Sequence, residues 1–184
     1  MKELSLHVMD IIENGLSAGA TLIALMVEEE KDRDQLQITI IDNGHGMSEE
    51  MLANALDPFF TTRTTRRVGL GLSMIREASR RCDGHFDIKS KEGEGTEVRT
   101  SFRLSHIDRA PLGDIAGSLT SLIMGNPEVD FVYTHRVDDK TFEMDTREVK
   151  EALDGLSIQV PEVIRNLAHM IRDSVSDLYK NVTG

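Results

Sequence analysis

The stretch Asp42-Asn43-Gly44-His45-Gly46-Met47 comes directly after the alternating run Leu36-Gln37-Ile38-Thr39-Ile40-Ile41. A strand therefore ends on a carboxylate, then turns through two glycines that flank a histidine. Asn-Gly is common turn chemistry and the aspartate can cap such a turn, so this stretch gains meaning only from its neighbours. Upstream, His7, Asp10, Asn14 and Ser17 recur at spacings of three and four, one narrow stripe on a helix. A solvated face favours Lys and Glu, whereas this stripe carries short directional groups, and Asn is a poor helix former. It reads either as a face that meets a ligand or as one hydrogen-bonded to a loop. Downstream, Val68-Gly69-Leu70-Gly71-Leu72-Ser73 places glycines at alternate positions just before a helix. Such glycines let backbone come close to a ligand and aim free N–H groups at an anion. This is neither a Walker A loop, since no Gly-Lys-Ser/Thr follows, nor a dinucleotide fingerprint, since the third glycine is missing.

The elements that must hold these groups follow from periodicity. Leu4, Val8, Ile11, Ile12 and Leu16 share one side of a predicted helix over residues 4–17. Thr21–Glu28 and Leu36–Asp42 alternate as strands about the charged turn Lys31-Asp32-Arg33-Asp34. Ser48-Glu49-Glu50 begins a short helix with a capping hydroxyl and acids in its first turn. Residues 57–70 hold four threonines and three arginines without apolar periodicity after Phe59-Phe60, and read as a loop. Gly71–Cys82 is a helix, and His85–Ser90 and Thr96–Leu104 form a hairpin. A second region begins near residue 106. Its helix runs through Leu112, Ile115, Leu119 and Ile123 and ends at Gly125-Asn126-Pro127. A hairpin about Asp138-Asp139, a capping box of Asp145 with Glu148, and a long terminal helix after Pro161 complete it.

Bulk properties narrow the classes. A chain of 184 residues, 39% apolar and 29% charged, buries a real core as one domain or a domain with a small appendage. A formal charge of −11 argues against nucleic acid and against an anionic membrane surface. Cys82 is the single cysteine, so neither a disulfide framework nor a Cys-rich metal site is expected. The start at Met-Lys-Glu-Leu-Ser-Leu shows no signal peptide and the chain no spanning apolar run, so a cytoplasmic location is expected.

Taken in order, the motifs resemble the ATP-binding fold shared by histidine kinases, type II topoisomerases, heat-shock chaperones and mismatch-repair ATPases. Asp10-Ile11-Ile12-Glu13-Asn14-Gly15 is similar to the first motif of that superfamily in its mismatch-repair form, and Asp42-Asn43-Gly44-His45-Gly46-Met47 to the second. Asp57-Pro58-Phe59-Phe60-Thr61-Thr62-Arg63 and Gly69-Leu70-Gly71-Leu72 are more similar to histidine kinases, and Gly93-Glu94-Gly95-Thr96 resembles the closing motif of both. The resemblance covers residues 4–104. It implies an α+β fold: a two-layer α/β sandwich of the histidine kinase-like ATPase type over residues 1–105. Residues 106–184 would form a small C-terminal α+β extension, packed structurally or used for docking or dimerisation.

The same resemblance implies a site. Asp42 would accept from the adenine amino group, and guanine, with a carbonyl there, would set acceptor against acceptor. Gly44 and Gly46 would lie against the purine, with His45 pointing away, and Thr96 would help hold adenine through a water. Asn14 would give its amide oxygen to Mg²⁺, a hard cation bound by oxygen. Thr61–Val68 would be a lid whose Arg63, with Arg66 and Arg67, meets the γ-phosphate. Gly69, Leu70, Gly71 and Leu72 would close on the phosphates. Arg67 stands where histidine kinases usually carry a further glycine.

Asp10 bears on what the ATP is for. ATP-hydrolysing members usually carry a Glu there to orient water; Asp10 has the carboxylate but is one methylene shorter. The resemblance thus implies Mg·ATP used to phosphorylate a partner protein or to drive a conformational switch with slow hydrolysis. The alternative is a non-catalytic, ATP-gated protein-binding regulator of the anti-sigma-factor kind. A mismatch-repair fragment is disfavoured by the acidic charge. No phosphoacceptor setting precedes the first helix, and His106, His135 and His169 are expected to have no acid beside them, so any transfer is expected in trans.

Overall fold

The computed structural model describes residues 3–57 and 70–180, without the side chain of Leu70. Six strands make one sheet in the order β3-β4-β2-β1-β5-β6. They are β1 (Leu22–Glu30), β2 (Gln35–Asp42), β3 (Phe86–Lys91), β4 (Gly95–Arg103), β5 (Asp130–Val137) and β6 (Lys140–Asp145). The helices are α1 (Leu4–Ser17), α2 (Glu49–Ala55), α3 (Leu70–Arg81), α4 (Ile115–Gly125), α5 (Thr146–Ala152) and α6 (Pro161–Tyr179). Every strand expected from alternation is present, with its ends within two residues of those expected. All ladders are antiparallel except β1 with β5, which is parallel.

Alternation along β1 and β2 turns Ile23, Leu25, Val27, Leu36, Ile38 and Ile40 inward. Against that face lies a row of helices in which α3 packs on α1, α1 on α4 and α4 on α6. Burying one sheet face and one stripe of each helix is the two-layer solution that the hydrophobic effect favours. The strands beyond residue 106 lengthen this same sheet, because β5 pairs along the whole of β1. The division at residues 105/106 therefore falls inside one continuous sheet and core.

Local chemistry agrees with most element starts. The Ser48 hydroxyl accepts from the Met51 N–H at 3.2 Å, capping α2, and Pro161 occupies the first turn of α6. The expected capping box at α5 is only partly formed: Asp145 accepts from Arg147 N at 2.9 Å, and the Arg147 guanidinium folds back on the same carboxylate. α1 has no side-chain cap. Its first N–H groups donate instead to Pro111 O and Leu112 O, at 2.9 and 2.8 Å, tying the segment after β4 to the helix start.

Candidate functional site

Gly15 lets the C-terminal half of α1 lie directly on the end of β2. A Cβ there would stand 2.9 Å from the Asp42 Cβ and 3.1 Å from Asp42 Oδ2. Asp42 itself is 9% exposed, the last residue of β2, paired across the ladder with Thr96. Its Oδ1 accepts from Gly44 N at 2.9 Å. Burial pushes its carboxyl above the usual aspartate range, against the pull of the Gly44 and Thr96 N–H groups. A desolvated carboxylate with an incomplete set of donors is an acceptor held ready for a ligand N–H.

Beside it opens a cavity of about 120 Å³, lined by Asn14, Asp42, Gly46 and Thr96 and walled by Ile11, Met47, Met51, Leu72, Ile88 and Val98. That volume is below the ~300–1,000 Å³ of pockets that enclose a whole drug-sized ligand; it has room for one small group between apolar walls. The motifs thus meet in space, although residues 14, 42, 72 and 96 come from four different elements.

The loop after β2 is held by the protein's own atoms. Asn43 Oδ1 accepts from Thr21 N and Leu22 N at 2.8 and 3.0 Å, so the Asn of the Asn-Gly pair ties the strand end to the start of β1. His45 N donates to Ala18 O at 2.9 Å, and His45 O accepts from Gly93 N at 2.7 Å. His45 is exposed and borders the cavity, with Nδ1 2.7 Å from Gly46 O. The two glycines are constrained by the protein's own atoms. Gly44 is not among the lining residues; a Cβ there would meet the Ala18 Cβ at 2.8 Å. Gly46 does line the cavity, but its φ of +66° and the Lys91 O only 2.0 Å from a would-be Cβ already demand glycine.

Thr96 lines the cavity with its hydroxyl 2.8 Å from Ser90 Oγ. Ser90, which periodicity left as an ordinary strand residue, also accepts from Met47 N at 2.9 Å and donates to Gly95 O at 3.1 Å. It links the loop, the hairpin and Thr96, and no sequence signal marks it. The apolar walls were equally hidden, because a residue lining a cavity and one filling a core look alike in a string.

Along the stripe of α1 the groups divide. Asn14 reaches the cavity, whereas Asp10 is exposed and not among the described residues that line it, with partial desolvation pushing its carboxyl pKa up. The backbone of Gly71 comes beside Asp10, a Cβ there lying 3.0 Å from Asp10 Cβ. His7 is buried and borders a different cavity. Leu72 is buried in the wall, and Leu70 begins α3. Arg63 and Gly69, with Arg66, Arg67 and the rest of the expected lid, lie outside the described residues. Among the described residues no three His, Cys, Asp or Glu cluster to hold a metal. Asn14 offers a hard amide oxygen, which fits a Mg²⁺ held mainly by phosphates.

The expectation that no downstream histidine has an acid beside it fails at two positions. His135 Nε2 lies 3.5 Å from Glu29 Oε1, and His106 Nε2 3.8 Å from Asp83 Oδ2. His135 is fully buried, however, its Nδ1 2.7 Å from the Tyr133 hydroxyl. Glu29 on β1 and Tyr179 on α6, whose hydroxyl stands 3.4 Å from His135 Nε2, are too far from His135 in sequence for spacing to reveal.

With this geometry in view, the family described as histidine kinase-, DNA gyrase B-, and HSP90-like ATPase matches residues 2–106. The chain belongs to this family of ATP-binding domains. A putative sensor protein of Shewanella frigidimarina is 32% identical over 109 residues, 58% of this chain and 17% of that protein. The DNA mismatch repair protein MutL of Listeria monocytogenes is 28% identical over 192 residues, covering 82% of this chain and 31% of that protein. The chain thus spans less than a third of the length of these relatives. The Aquifex aeolicus MutL ATPase domain complexed with ADP shares the fold, with a TM-score of 0.51 and 15% identity over 78% of this chain and 64% of that one. Both MutL matches cover a larger share of the chain than residues 4–104, where the motif resemblance ended. Among the described residues no helix is long and apolar enough to cross a membrane.

Proposed function

We propose that this chain binds Mg·ATP with adenine against Asp42 and the metal at Asn14. It then either transfers the γ-phosphoryl group to a side chain of a partner protein, releasing ADP, or hydrolyses ATP slowly, with Asp10 orienting the water, to drive a conformational switch. The observation that carries the reading is the convergence of Asn14, the buried Asp42 and Thr96 on one small cavity with apolar walls. Asp42 supplies selectivity: a guanine carbonyl facing it leaves a buried acceptor unmade, a cost of roughly 1–3 kcal/mol. Asn14 would hold Mg²⁺ through its amide oxygen, and the bound ion would neutralise charge on the phosphates. Asp10, one helical turn from Asn14, has a raised carboxyl and a short reach, which favours slow rather than fast turnover.

A second reading, the non-catalytic ATP-gated regulator, draws support from the exposure of Asp10 and from its place outside the cavity lining. Release of labelled phosphate from γ-labelled ATP decides between them. Slow release that disappears in Asp10→Asn, with ATP binding retained, supports the catalytic reading. Release unchanged in Asp10→Asn removes Asp10 from catalysis and favours the kinase reading, and release that is absent supports the regulator.

A further inference from the structure

Across β2, β4 and β3 the register sets Asp42 opposite Thr96 and Thr96 opposite Ser90. Directly opposed residues share one face of a sheet, so these three side chains form a polar row beside the nucleotide cavity. The adjoining row, Ile40, Val98 and Ile88, is apolar, and Val98 and Ile88 wall that cavity. Ser90 is not among the described residues that line the cavity, so it acts through the residues it holds.

Three neighbours surround the Ser90 hydroxyl. Met47 N–H, which can only donate, lies 2.9 Å away, and Gly95 O, which can only accept, 3.1 Å away. The Thr96 hydroxyl, which can do either, lies at 2.8 Å. A serine hydroxyl has one hydrogen and two lone pairs. Only one assignment makes all three contacts hydrogen bonds: Ser90 donates to Gly95 O and accepts from both Met47 N and Thr96 Oγ1. Thr96 thereby commits its single hydrogen to Ser90 and keeps only lone pairs for a ligand. Asp42, its neighbour in the row, is also a pure acceptor when ionised. The polar end of the cavity therefore calls for donors at two points and disfavours a carbonyl oxygen at either. An unsubstituted amino group carries two N–H bonds on one nitrogen and meets that demand, directly or with a water relaying the second bond.

Resting on the nucleotide reading above, we propose that Ser90 is a positioning residue that sets base specificity. By taking the Thr96 hydrogen it fixes the second acceptor of the base site, so the favoured nucleotide is one that brings an unsubstituted amino group. Loss of the Ser90 hydroxyl releases that hydrogen, and Thr96 then donates to a carbonyl as readily as it accepts.

The test is calorimetric titration of wild type, Ser90→Ala, Ser90→Thr and Thr96→Val with Mg·ATP and with Mg·ITP, whose base carries a carbonyl in place of the amino group. Wild type should prefer ATP at least roughly tenfold. Ser90→Ala should narrow that preference by roughly twofold to tenfold, the worth of one neutral hydrogen bond. Ser90→Thr keeps the hydroxyl and should keep the preference. Thr96→Val should weaken ATP by a similar factor without weakening ITP. A Ser90 that only braces the loop would lower both affinities alike in Ser90→Ala and leave their ratio intact, which overturns the proposal. So does a Thr96→Val variant that loses ITP as much as ATP, and this arm decides even where Ser90→Ala fails to fold. Equal binding of ATP and ITP by the wild type removes the adenine reading itself, whereas a preference that survives in Ser90→Ala removes only the role of Ser90.

Discussion

A Cβ on Gly71 would lie 3.0 Å from the Cβ of Asp10, tighter than ordinary side-chain contact. Helix α3 therefore reaches the carboxylate of α1 only because residue 71 lacks a side chain. Gly71→Ala should push Asp10 aside by a few tenths of an ångström or more. A displacement near 1 Å costs on the order of 10²-fold in a positioned reaction. We expect ATP turnover to fall by roughly tenfold or more while ATP affinity stays within about threefold, since the base contacts lie elsewhere. Equal losses in both, by single-turnover assay and calorimetry, would mean that Gly71 serves binding instead.

Gly46 and Gly93 separate backbone strain from crowding. Both have positive φ, +66° and +78°, but a Cβ on Gly46 would meet Lys91 O at 2.0 Å, whereas nothing lies within 4 Å of one on Gly93. Gly93→Ala should cost ~1 kcal/mol of stability from the left-handed backbone alone. Gly46→Ala should cost at least about 3 kcal/mol, since backbone must move as well. Urea unfolding of the two variants checks the difference; similar midpoints would contradict it.

This pair also shows what was legible in the sequence. Alternation and helical periodicity located all the strands and helices among the described residues, because each element buries one face and leaves the other wet. The glycines around Asp42 were visible as a motif, but not their cause, which at Gly44 and Gly46 is contact with Ala18 and Lys91. Gly15 could have been found: a glycine inside a helix costs about 1 kcal/mol against alanine, so its presence asks for a close neighbour. Ser90, Met47 and Ile88 carry no such mark. Nor did any pattern show that β5 would pair in parallel with β1, a contact between residues more than a hundred positions apart.

Glu29 is the fourth inward position of β1, where alternation calls for an apolar residue. Burial raises its carboxyl, but hydrogen bonds from His135 and Tyr179 outweigh that and leave its pKa below the ordinary glutamate value. The Tyr179 hydroxyl donates to Glu29 Oε1, fastening the end of α6 to the sheet. Tyr179→Phe should cost about 1.5–3 kcal/mol, as for a hydrogen bond to a charged group. Because the folded carboxyl is depressed, its contribution is complete above the unfolded pKa of about 4.3 and is lost as pH falls through the lower folded value. The stability gap between wild type and Glu29→Gln should therefore be flat above about pH 5 and narrow below about pH 4. A gap that widens in acid would contradict the assignment.

Self-phosphorylation on histidine should not occur. His135 has the acid neighbour that orients a ring nitrogen but is fully buried against Tyr133 and Glu29. His169 is exposed on α6, and no carboxylate ion pair orients it among the described residues. In-line transfer needs the acceptor brought to the phosphorus at roughly 3–3.5 Å. Incubation with γ-labelled ATP should leave no alkali-stable label on the chain. A label removed by His169→Ala or His135→Ala would show that one of them is an acceptor.

The most direct measurement is calorimetric titration of wild type and Asp42→Asn with Mg·ATP and Mg·GTP. Asp42 is buried at the end of β2 and faces the cavity with an acceptor that an amide cannot fully replace. Wild type should bind ATP and bind GTP at least roughly tenfold more weakly, the cost of an unmade buried hydrogen bond. Asp42→Asn should lose most of its ATP affinity and melt within a few degrees of wild type. Undiminished ATP affinity in Asp42→Asn, or equal binding of ATP and GTP by the wild type, would contradict adenine recognition at this site.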